Sequence, residues 1–293
     1  MADVIVIGGG HAGVEAALAC ARNHKKTILY TLDMDMIASM PCNPSIGGPA
    51  KGIVVREIDA LGGEMGKAAD ATALQFKMLN TTKGPGVQCL RVQSDKLAYK
   101  RYMKEVLLAQ TDLEVREGMI EALVSGNHKI KGVVQADGRI EETEIVILTT
   151  GTFMSASVLV GHNATASGPD GQATTSKLSQ SLRDLGLTTF RLKTGTPARI
   201  RSESIDFSKA ELQSGTKEFV SFSYETKHIR PFEAQLPCYL TYTTPKTHEI
   251  IQAHLQDSAM YSGLVQGVGP RYCPSIEDKL VRFADKERHQ IFL

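Results

Sequence analysis

The sequence predicts an α/β fold built on a parallel sheet, and three apolar segments carry that prediction. The first, Val4–Ile7, runs into a glycine-rich loop and then an alanine-rich segment. Thr27–Leu32 and Ile145–Leu148 have the same buried-strand composition, and the last leads into Thr150-Gly151-Thr152. Apolar strands that alternate with helical segments are typical of parallel sheets. We therefore expect a Rossmann-like first domain over residues 1–199.

The glycine loop at the start of the chain justifies this fold most strongly. Gly8, Gly10 and Gly13 match the pattern GxGxxG, between a predicted strand and a predicted helix over Val14–Arg22. In this context the amino end of the helix faces a pyrophosphate, which predicts a dinucleotide site. Asp33 lies about twenty residues further on, near the position of a ribose-binding acid. An ordinary aspartate in a turn would explain Asp33 equally well. Thr31 is the alternative residue for the strand-end position at which the ribose-binding acid is expected.

The next predicted element is a loop that presents a cysteine. Residues 40–48 contain Cys42 together with two prolines and two glycines, and a helix is expected over Ala50–Leu61. The expected apolar face of that helix comprises Ile53, Val54, Ile58 and Leu61. Backbone donors near Cys42 would lower its pKa and enrich the thiolate. The alternative is a small buried side chain that closes a turn.

A glycine-proline loop over residues 80–86 is the best candidate for a contact with a phosphate backbone. Lys83 and Arg91 are its cations. The helix that follows places Lys96, Lys100 and Lys104 on one face, opposite Leu97, Met103 and Leu107. Such a face is also what an ordinary solvated helix has.

The later part of the chain predicts an inserted, mainly β domain over residues 200–266. Phe219–Tyr224 and Cys238–Thr243 are strand-like pieces separated by prolines. Residues 267–293 are expected to return to the first domain and leave it incomplete. Because the chain stops at the apolar, strand-like sequence Gln290–Leu293, we expect a truncated protein.

Residues 269–283, GPRYCPSIEDKLVRF, place a second thiol, Cys273, between an Arg-Tyr pair and the charged start of a helix. Arg271 could both raise the thiolate fraction and bind phosphate, while Asp278 and Lys279 orient the loop or cap its helix. We expect this cysteine and the dinucleotide to share one active site.

Composition limits the alternatives. The chain has 293 residues, 42% of them hydrophobic and 22% charged, which fits one or two globular domains. Its formal net charge of +1 gives no chain-wide attraction for nucleic acid, so RNA binding would need a local basic patch. No apolar run is long enough for a membrane span, and Asp3 before the first apolar run argues against a secretory signal.

The cysteines and histidines indicate no metal site. Five cysteines without a CxxC pair disfavour both a disulfide framework and structural zinc, and fit a reducing cytoplasm. His248-Glu249 begins like a zinc-protease helix, but Gln252 stands where the second ligand is needed. The patterns of P-loop NTPases and α/β-hydrolases, GxxxxGK[ST] and GxSxG, are missing from the sequence.

Six motifs in order make the sequence similar to the MnmG (GidA) family, the FAD-dependent subunit of the enzyme that makes 5-carboxymethylaminomethyluridine at the wobble position of tRNA. They are GGGHAG, PCNPSIGGPAKG, LNTTKGPGV, TTGTF, RLKTGTPARI and GPRYCPSIEDKLVRF, which begin at residues 8, 41, 79, 149, 191 and 269. Family members are about twice as long, so the chain resembles their amino-terminal part. The fold implied is of the glutathione-reductase type.

The resemblance implies a chemistry. FAD takes a carbon unit from methylenetetrahydrofolate, NADH is the reductant, and carbon 5 of the uridine attacks the activated carbon. The family's two catalytic cysteines match Cys42 and Cys273. One thiolate adds to carbon 6 of the base, and the other assists; the sequence does not say which. Implied partners are tRNA, the GTPase MnmE and a second copy of the chain in a homodimer.

The resemblance also implies the site residues. The expected cofactor contacts are Gly8, Gly9, Gly10, His11, Ala12, Gly13, Ile120, Thr175, Gly269, Pro270, Arg271 and Tyr272. Candidate RNA contacts are Lys51, Lys83, Arg91 and Arg271, around a splayed-out wobble base.

Two other functions stay open at this stage. An NADH-dependent flavin disulfide oxidoreductase combines flavin loops with cysteines, although it normally has a close cysteine pair. A fragment that binds nucleotide or RNA without turnover is the other alternative. The amine donor, the oligomeric state and the ability of this chain to retain FAD also remain open.

Overall fold

The computed structural model describes residues 1–265, 267–269 and 274–293. The chain divides into two compact units. The first comprises Met1–Ala156, Ser167–Thr188 and Gly215–Gln235, and the second Ser157–Ala166, Thr189–Ser214 and Leu236–Leu293. The chain thus passes between units more often than a single insertion requires, and the domain boundaries expected at 199/200 and 266/267 remain predictions.

The strands of the described residues are, in chain order, β1 (Val4–Ile7), β2 (Thr27–Thr31), β3 (Ser45–Gly47), β4 (Ala73–Leu79), β5 (Cys89–Ser94), β6 (Leu113–Glu117), β7 (Ile120–Gly126), β8 (Lys129–Gln135), β9 (Ile140–Glu142), β10 (Ile145–Leu148), β11 (Val158–Val160), β12 (Asn163–Thr165), β13 (Glu211–Gln213), β14 (Cys238–Tyr242) and β15 (Gln290–Phe292). The α-helices are α1 (His11–Arg22), α2 (Lys51–Ala60), α3 (Met65–Ala71), α4 (Lys96–Ala109), α5 (Lys177–Asp184), α6 (Pro245–Ala253) and α7 (Ile276–Arg282).

The first unit contains the expected parallel sheet, with strand order β10-β1-β2-β6. β1 pairs in parallel with both β2 and β10, so that Ile7 lies beside Tyr30 on one side and Leu148 on the other. The predictions of β1 and β10 are confirmed at both ends, and β2 is one residue shorter than expected. The α/β fold class is therefore confirmed.

Both faces of this sheet are covered, which explains the continuous apolar sequence of β1. Val4 and Val6 belong to one core cluster, with Val14 and Leu18 of α1. The alternate residues Ile5 and Ile7 belong to a second cluster, with Ile120 of β7 and Leu178 of α5. A strand that alternates between two buried faces needs apolar side chains throughout.

A small antiparallel sheet, β3-β5-β4, carries the cysteine loop and the basic loop together. β4 and β5 form a hairpin, and β3 adds to its edge, with Ser45 beside Gln93 and Gly47 beside Arg91. Because β3 follows Cys42 directly, the cysteine loop is attached to the hairpin that carries Lys83 and Arg91.

The predicted helix after the cysteine loop exists, but its predicted apolar face is wrong. α2 buries Gly52, Val55 and Asp59. Ile53 and Val54 are 53% and 50% exposed, and Leu61, just past the helix, is 90% exposed. The buried side combines Val55, which is 1% exposed, with Gly52, where a Cβ would lie 3.3 Å from Leu90 O, so a larger side chain has little room at residue 52.

The strand expected at Phe219–Tyr224 is also wrong. The backbone N–H groups of Phe222 and Ser223 donate to the carboxylate of Asp70, at 2.8 and 2.9 Å, and that of Tyr224 donates to Asp59 Oδ2 at 2.9 Å. The segment's donors are therefore satisfied by two buried acids, and a neighbouring strand is not needed.

The second unit, described by itself, mixes strands and helices, so the expected mainly β character is not seen. It holds the hairpin β11-β12, the sheet β13-β14-β15, and the helices α6 and α7. The strand expected at Cys238–Thr243 is confirmed as β14. Ser275 caps the amino end of α7, and its hydroxyl accepts a hydrogen bond from the Asp278 N–H at 3.1 Å.

Candidate functional site

The glycine loop between β1 and α1 is closely packed at its two ends. Gly8 has φ +113°, a conformation that L side chains rarely adopt, and a Cβ there would collide with the Thr149 carbonyl. A Cβ on Gly13 would collide with the carbonyl of Gly8. The Thr149 hydroxyl lies 2.9 Å from Ile7 O and 3.0 Å from Gly8 O. The turn after β10 thus holds the glycine loop in place.

The middle of the same loop is open. Gly10 is exposed, and a Cβ built on it would meet nothing within 4 Å. Gly10 is the N-cap of the twelve-residue helix α1, and no side chain caps that helix. The first backbone N–H groups of a helix favour anions, since they are unsatisfied and lie at the positive end of the helix dipole. The open glycine and uncapped helix fit a phosphate pair.

Asp33 lies after β2, as predicted, and acts in a turn. Its carboxylate accepts from Asp35 N at 2.7 Å and from Gln172 Nε2 at 3.3 Å. The structure therefore shows Asp33 bonding within a turn, and its contact with a ribose stays a prediction.

The cysteine loop passes directly beside the glycine loop. The N–H of Ala38 donates to Gly9 O at 2.9 Å, four residues before Cys42. Cys42 itself is half-buried and forms no disulfide. The segment that leads into the cysteine loop thus contacts the glycine loop, whereas the site shared with the dinucleotide was predicted for Cys273.

Lys51, at the first turn of α2, links these two loops. Its ammonium donates to Ser45 O at 3.0 Å, although much of the residue is exposed. Burial of the ammonium lowers the pKa of Lys51, while the nearby thiolate of Cys42 acts to raise it. On the other side, Lys51 and burial together lower the pKa of His11 to about 4, with burial the larger cause. His11 is therefore neutral at neutral pH.

His11 is held by Tyr99 of α4. The Tyr99 hydroxyl lies 3.5 Å from His11 Nδ1, and the two rings meet edge to face with centroids 5.6 Å apart. Burial raises the pKa of Tyr99, so its hydroxyl keeps its proton. A neutral imidazole thus stands at the amino end of α1.

The basic hairpin exposes its tip. Residues 80–88 are all exposed, with Lys83 among them, and Arg91 is half-buried in β5. The tip is braced by side chains, because Asn80 Nδ2 donates to Val87 O at 2.9 Å and Gln88 Nε2 donates to Lys83 O at 3.0 Å. No Asp or Glu occurs from residue 73 to residue 94, which leaves the cations Lys77, Lys83 and Arg91 without acids in the same segment.

The other expected cofactor contacts are scattered. Ile120 is 2% exposed and packs in the core, so any contact it makes with a ligand would use its backbone. Thr175 is buried and bridges to Met154, close to the turn after β10. Gly269 lies in the second unit, against Lys193. Pro270, Arg271, Tyr272 and Cys273 lie outside the described residues.

One open surface pocket lies within the second unit. It measures about 830 Å³ and is lined by both acids and bases, including His248, Glu249, Lys286 and Arg288. Its mixed charge singles out no ligand. Within residues 1–265, 267–269 and 274–293, no group of three His, Cys, Asp or Glu side chains could hold a metal ion. Nor is any helix in those ranges long and apolar enough to cross a bilayer.

Sequence reasoning missed two residues of this site. Thr149 fixes the glycine loop, and the signal was its place directly after a buried strand. Tyr99 holds His11, but nothing in the sequence distinguishes it from an ordinary core aromatic, since it is fully buried in the main cluster.

The fold and the site together define an α/β protein whose glycine loop and uncapped helix at β1-α1 are suited to a dinucleotide, with a cysteine-bearing loop nearby. The family model described as Glucose inhibited division protein A (GidA) matches residues 3–293. The chain therefore belongs to the GidA family.

Individual proteins of the same family are also similar to this chain. The chain is 54% identical over 291 residues to the tRNA uridine 5-carboxymethylaminomethyl modification enzyme MnmG of Bacillus subtilis, and 56% identical over 292 residues to that of Geobacillus thermodenitrificans. In each case 99% of the chain and 46% of the relative are covered, so the chain spans about half the length of these curated relatives. Of solved structures, Aquifex aeolicus GidA in its form I crystal matches with TM-score 0.93 and 50% identity, covering 100% of this chain and 49% of that one.

Proposed function

We propose that the chain binds FAD and forms part of an enzyme that converts the wobble uridine of tRNA to 5-carboxymethylaminomethyluridine. The relatives at 54% and 56% identity carry the name of that activity. The single observation that supports it in the chain itself is the cysteine loop tied to the glycine loop through Ala38 and Gly9.

The glycine loop is the proposed FAD site. Gly8–Gly13 and the uncapped amino end of α1 would hold the pyrophosphate, with the open space at Gly10 as the point of closest approach. When bound, FAD supplies the redox chemistry that activates a carbon from methylenetetrahydrofolate, with NADH as the proposed reductant. Ile120, Thr175 and Gly269–Tyr272 remain proposed contacts.

A cysteine is proposed to make the uridine nucleophilic. The thiolate sulfur bonds to carbon 6, and the electron pair of the carbon 5–carbon 6 double bond moves into an enolate. Carbon 5 then attacks the activated carbon, loses its proton, and expels the thiolate as the double bond re-forms. Cys42 and Cys273 share these tasks, one as the nucleophile and the other in proton or adduct handling.

The basic hairpin is proposed to hold the RNA backbone. Lys83 lies at its braced, exposed tip and Arg91 on β5, in a segment whose sequence from residue 73 to residue 94 contains no Asp or Glu. Phosphate contacts of this kind position a nucleic acid, while the splayed base is read in a pocket. Arg271 and Lys51 are the further proposed RNA contacts. The GTPase MnmE, a second copy of the chain and a cytoplasmic location complete the proposal.

The proposal is tested by mass spectrometry of nucleosides from digested tRNA. The tRNA is taken from cells in which this protein is the only member of its family. We expect Cys42→Ser to abolish 5-carboxymethylaminomethyluridine while the purified variant keeps its flavin absorbance. Cys238→Ser, a cysteine of β14 in the second unit, is the matched control and should retain the modified nucleoside. Normal modification in the Cys42→Ser strain would overturn the proposed role of this thiol.

A further inference from the structure

Lys51 occupies an unusual place for a lysine at the start of a helix. A surface lysine normally extends into water, whereas the ammonium of Lys51 turns back onto the loop that precedes its own helix and donates to Ser45 O at 3.0 Å. Ser45 is three residues after Cys42, and the loop is fixed on its far side by the pairing of β3 with β5. Ordering a long side chain in this way costs conformational entropy, so the contact must return a comparable gain.

The electrostatic partners of this ammonium are Cys42 and His11. Other titratable groups approach the junction from neighbouring elements: Tyr99 of α4 bonds to His11, and Arg91 of β5 is in register with Gly47. His11 and Tyr99 are neutral at pH 7. Lys51 is therefore a cation that interacts with the Cys42 thiol and whose ammonium is hydrogen-bonded to the loop that carries this cysteine.

We propose that Lys51 is a positioning residue for Cys42, whose thiolate its ammonium stabilises at the glycine loop. The chemical basis is reciprocal: a thiolate that stabilises an ammonium is stabilised by it to the same extent. The catalytic use of that thiolate rests on the proposed function, but the pairing itself does not.

The role explains two features of the site. The Lys51 ammonium stands on a flexible side chain, so it can follow the Cys42 sulfur when that atom moves to form a covalent bond. A backbone N–H donor is fixed and cannot follow it. The role also agrees with the neutral state of His11, because a charged imidazole would repel the Lys51 ammonium.

The test measures the reactivity of Cys42 towards iodoacetamide as a function of pH, with peptide mapping to separate the cysteines. Only thiolates are alkylated, so the midpoint of the rate reports the apparent pKa of each thiol. We expect Lys51→Gln to raise the Cys42 midpoint by about one unit and to slow its alkylation at neutral pH about tenfold. Lys51→Arg keeps the charge and should restore most of the rate.

Lys129→Gln is the matched control, since it removes the same charge from an exposed position at the start of β8, in the same unit. Cys20 and Cys89 serve as internal references that neither substitution should change. If the alkylation rate of Cys42 has the same pH midpoint in Lys51→Gln as in Lys129→Gln, the proposed pairing of Lys51 with Cys42 is wrong. Lys51→Met provides a second neutral variant, and circular dichroism verifies that each variant is folded.

Histidine NMR supplies a second readout that a loss of packing would not produce. Removal of the Lys51 charge should move the His11 midpoint upward from about 4, while burial keeps it below 6.5. An unchanged His11 titration in a folded Lys51→Gln variant would contradict the proposed cluster.

The two proposals fail separately. The alkylation rate needs neither flavin nor tRNA, so a shifted Cys42 midpoint together with normal tRNA modification in Cys42→Ser would preserve the ion pair and reject the catalytic role. Loss of modification in Cys42→Ser with an unshifted midpoint in Lys51→Gln would do the reverse.

Discussion

His11 makes the stability of the first unit depend on pH. Its pKa is lowered from 6.5 to about 4 in the folded chain, by burial and then by Lys51. Between these values the unfolded chain binds more protons than the folded one. The contribution of the buried, neutral His11 to the free energy of unfolding is therefore fully present above pH 6.5 and is lost as the pH falls to about 4.

Urea unfolding at several pH values checks this contribution. We expect the free energy of unfolding of the His11→Gln variant to fall less than that of the original chain between pH 6.5 and pH 4. His228→Gln, at an exposed histidine of the same unit, should follow the original chain. Parallel curves for His11→Gln and the original chain would show that His11 is not buried in neutral form.

The glycines of the loop differ in what they require, and two substitutions separate the requirements. Gly13→Ala places a methyl group against the Gly8 carbonyl, so we expect a loss of about 1–3 kcal/mol of stability. Gly10→Ala meets no neighbour and should cost about 0.5–1 kcal/mol, because alanine is a poorer N-cap than glycine.

Flavin titration then separates folding from binding. Gly10→Ala should weaken FAD binding far more than it destabilises the chain, since its methyl group fills the open space left for the ligand. Unaltered FAD affinity in Gly10→Ala would place the pyrophosphate elsewhere.

At the scale of elements, two buried acids hold the segment around Phe222 to the first unit. Asp70 is 5% exposed, and its carboxylate accepts from Phe222 N, Ser223 N and Thr226 Oγ1. Burial raises the pKa of Asp70 and the hydrogen bonds partly offset the rise. Asp70→Asn replaces an acceptor with a donor that faces other donors.

We expect Asp70→Asn to lower the free energy of unfolding by about 2–4 kcal/mol, because buried donors are left without partners. Urea unfolding measures the change, and Asp137→Asn, at a half-exposed side chain paired with Arg139, is the control that should change the free energy of unfolding very little. Equal effects of the two substitutions would mean that the carboxylate of Asp70 does not fasten this segment.

The elements that were predictable from sequence are those whose pattern is local. β1, β10 and the glycine loop follow from an apolar run and fixed glycine spacing, and both faces of the sheet are indeed buried. The strand expected at Phe219–Tyr224 failed because its hydrogen-bond partner, Asp70, lies about 150 residues away in sequence. The predicted face of α2 failed because the helix turns Gly52, Val55 and Asp59 inward, with the Leu90 carbonyl close to Gly52, while Ile53 and Val54 are exposed.

The same distinction holds for the site. The sequence predicted a thiol beside the glycine loop, and the structure shows that Ala38, four residues before Cys42, bonds to Gly9 of that loop. It could not predict that Lys51 turns back onto Ser45, since an exposed lysine at a helix start has many rotamers of similar energy. Cys273 lies outside the described residues, so its place in the site stays a prediction.

At the scale of the whole molecule, the first unit alone supplies the glycine loop, Cys42, Lys51 and the basic hairpin. The GidA family match extends over residues 3–293, while the chain covers 46% of its MnmG relatives. Dinucleotide binding and thiol presentation are thus properties that this chain can be tested for by itself. The modification of tRNA is a property of the enzyme proposed above.

The central claim is that FAD and Cys42 occupy one site, and an alkylation footprint tests it most directly. Flavin-free chain is treated with iodoacetamide with and without saturating FAD, and the rate at each cysteine is read by peptide mapping. We predict that FAD slows alkylation of Cys42 several-fold and leaves Cys238 in the second unit unchanged. Bound FAD with an unaltered Cys42 rate would contradict the account.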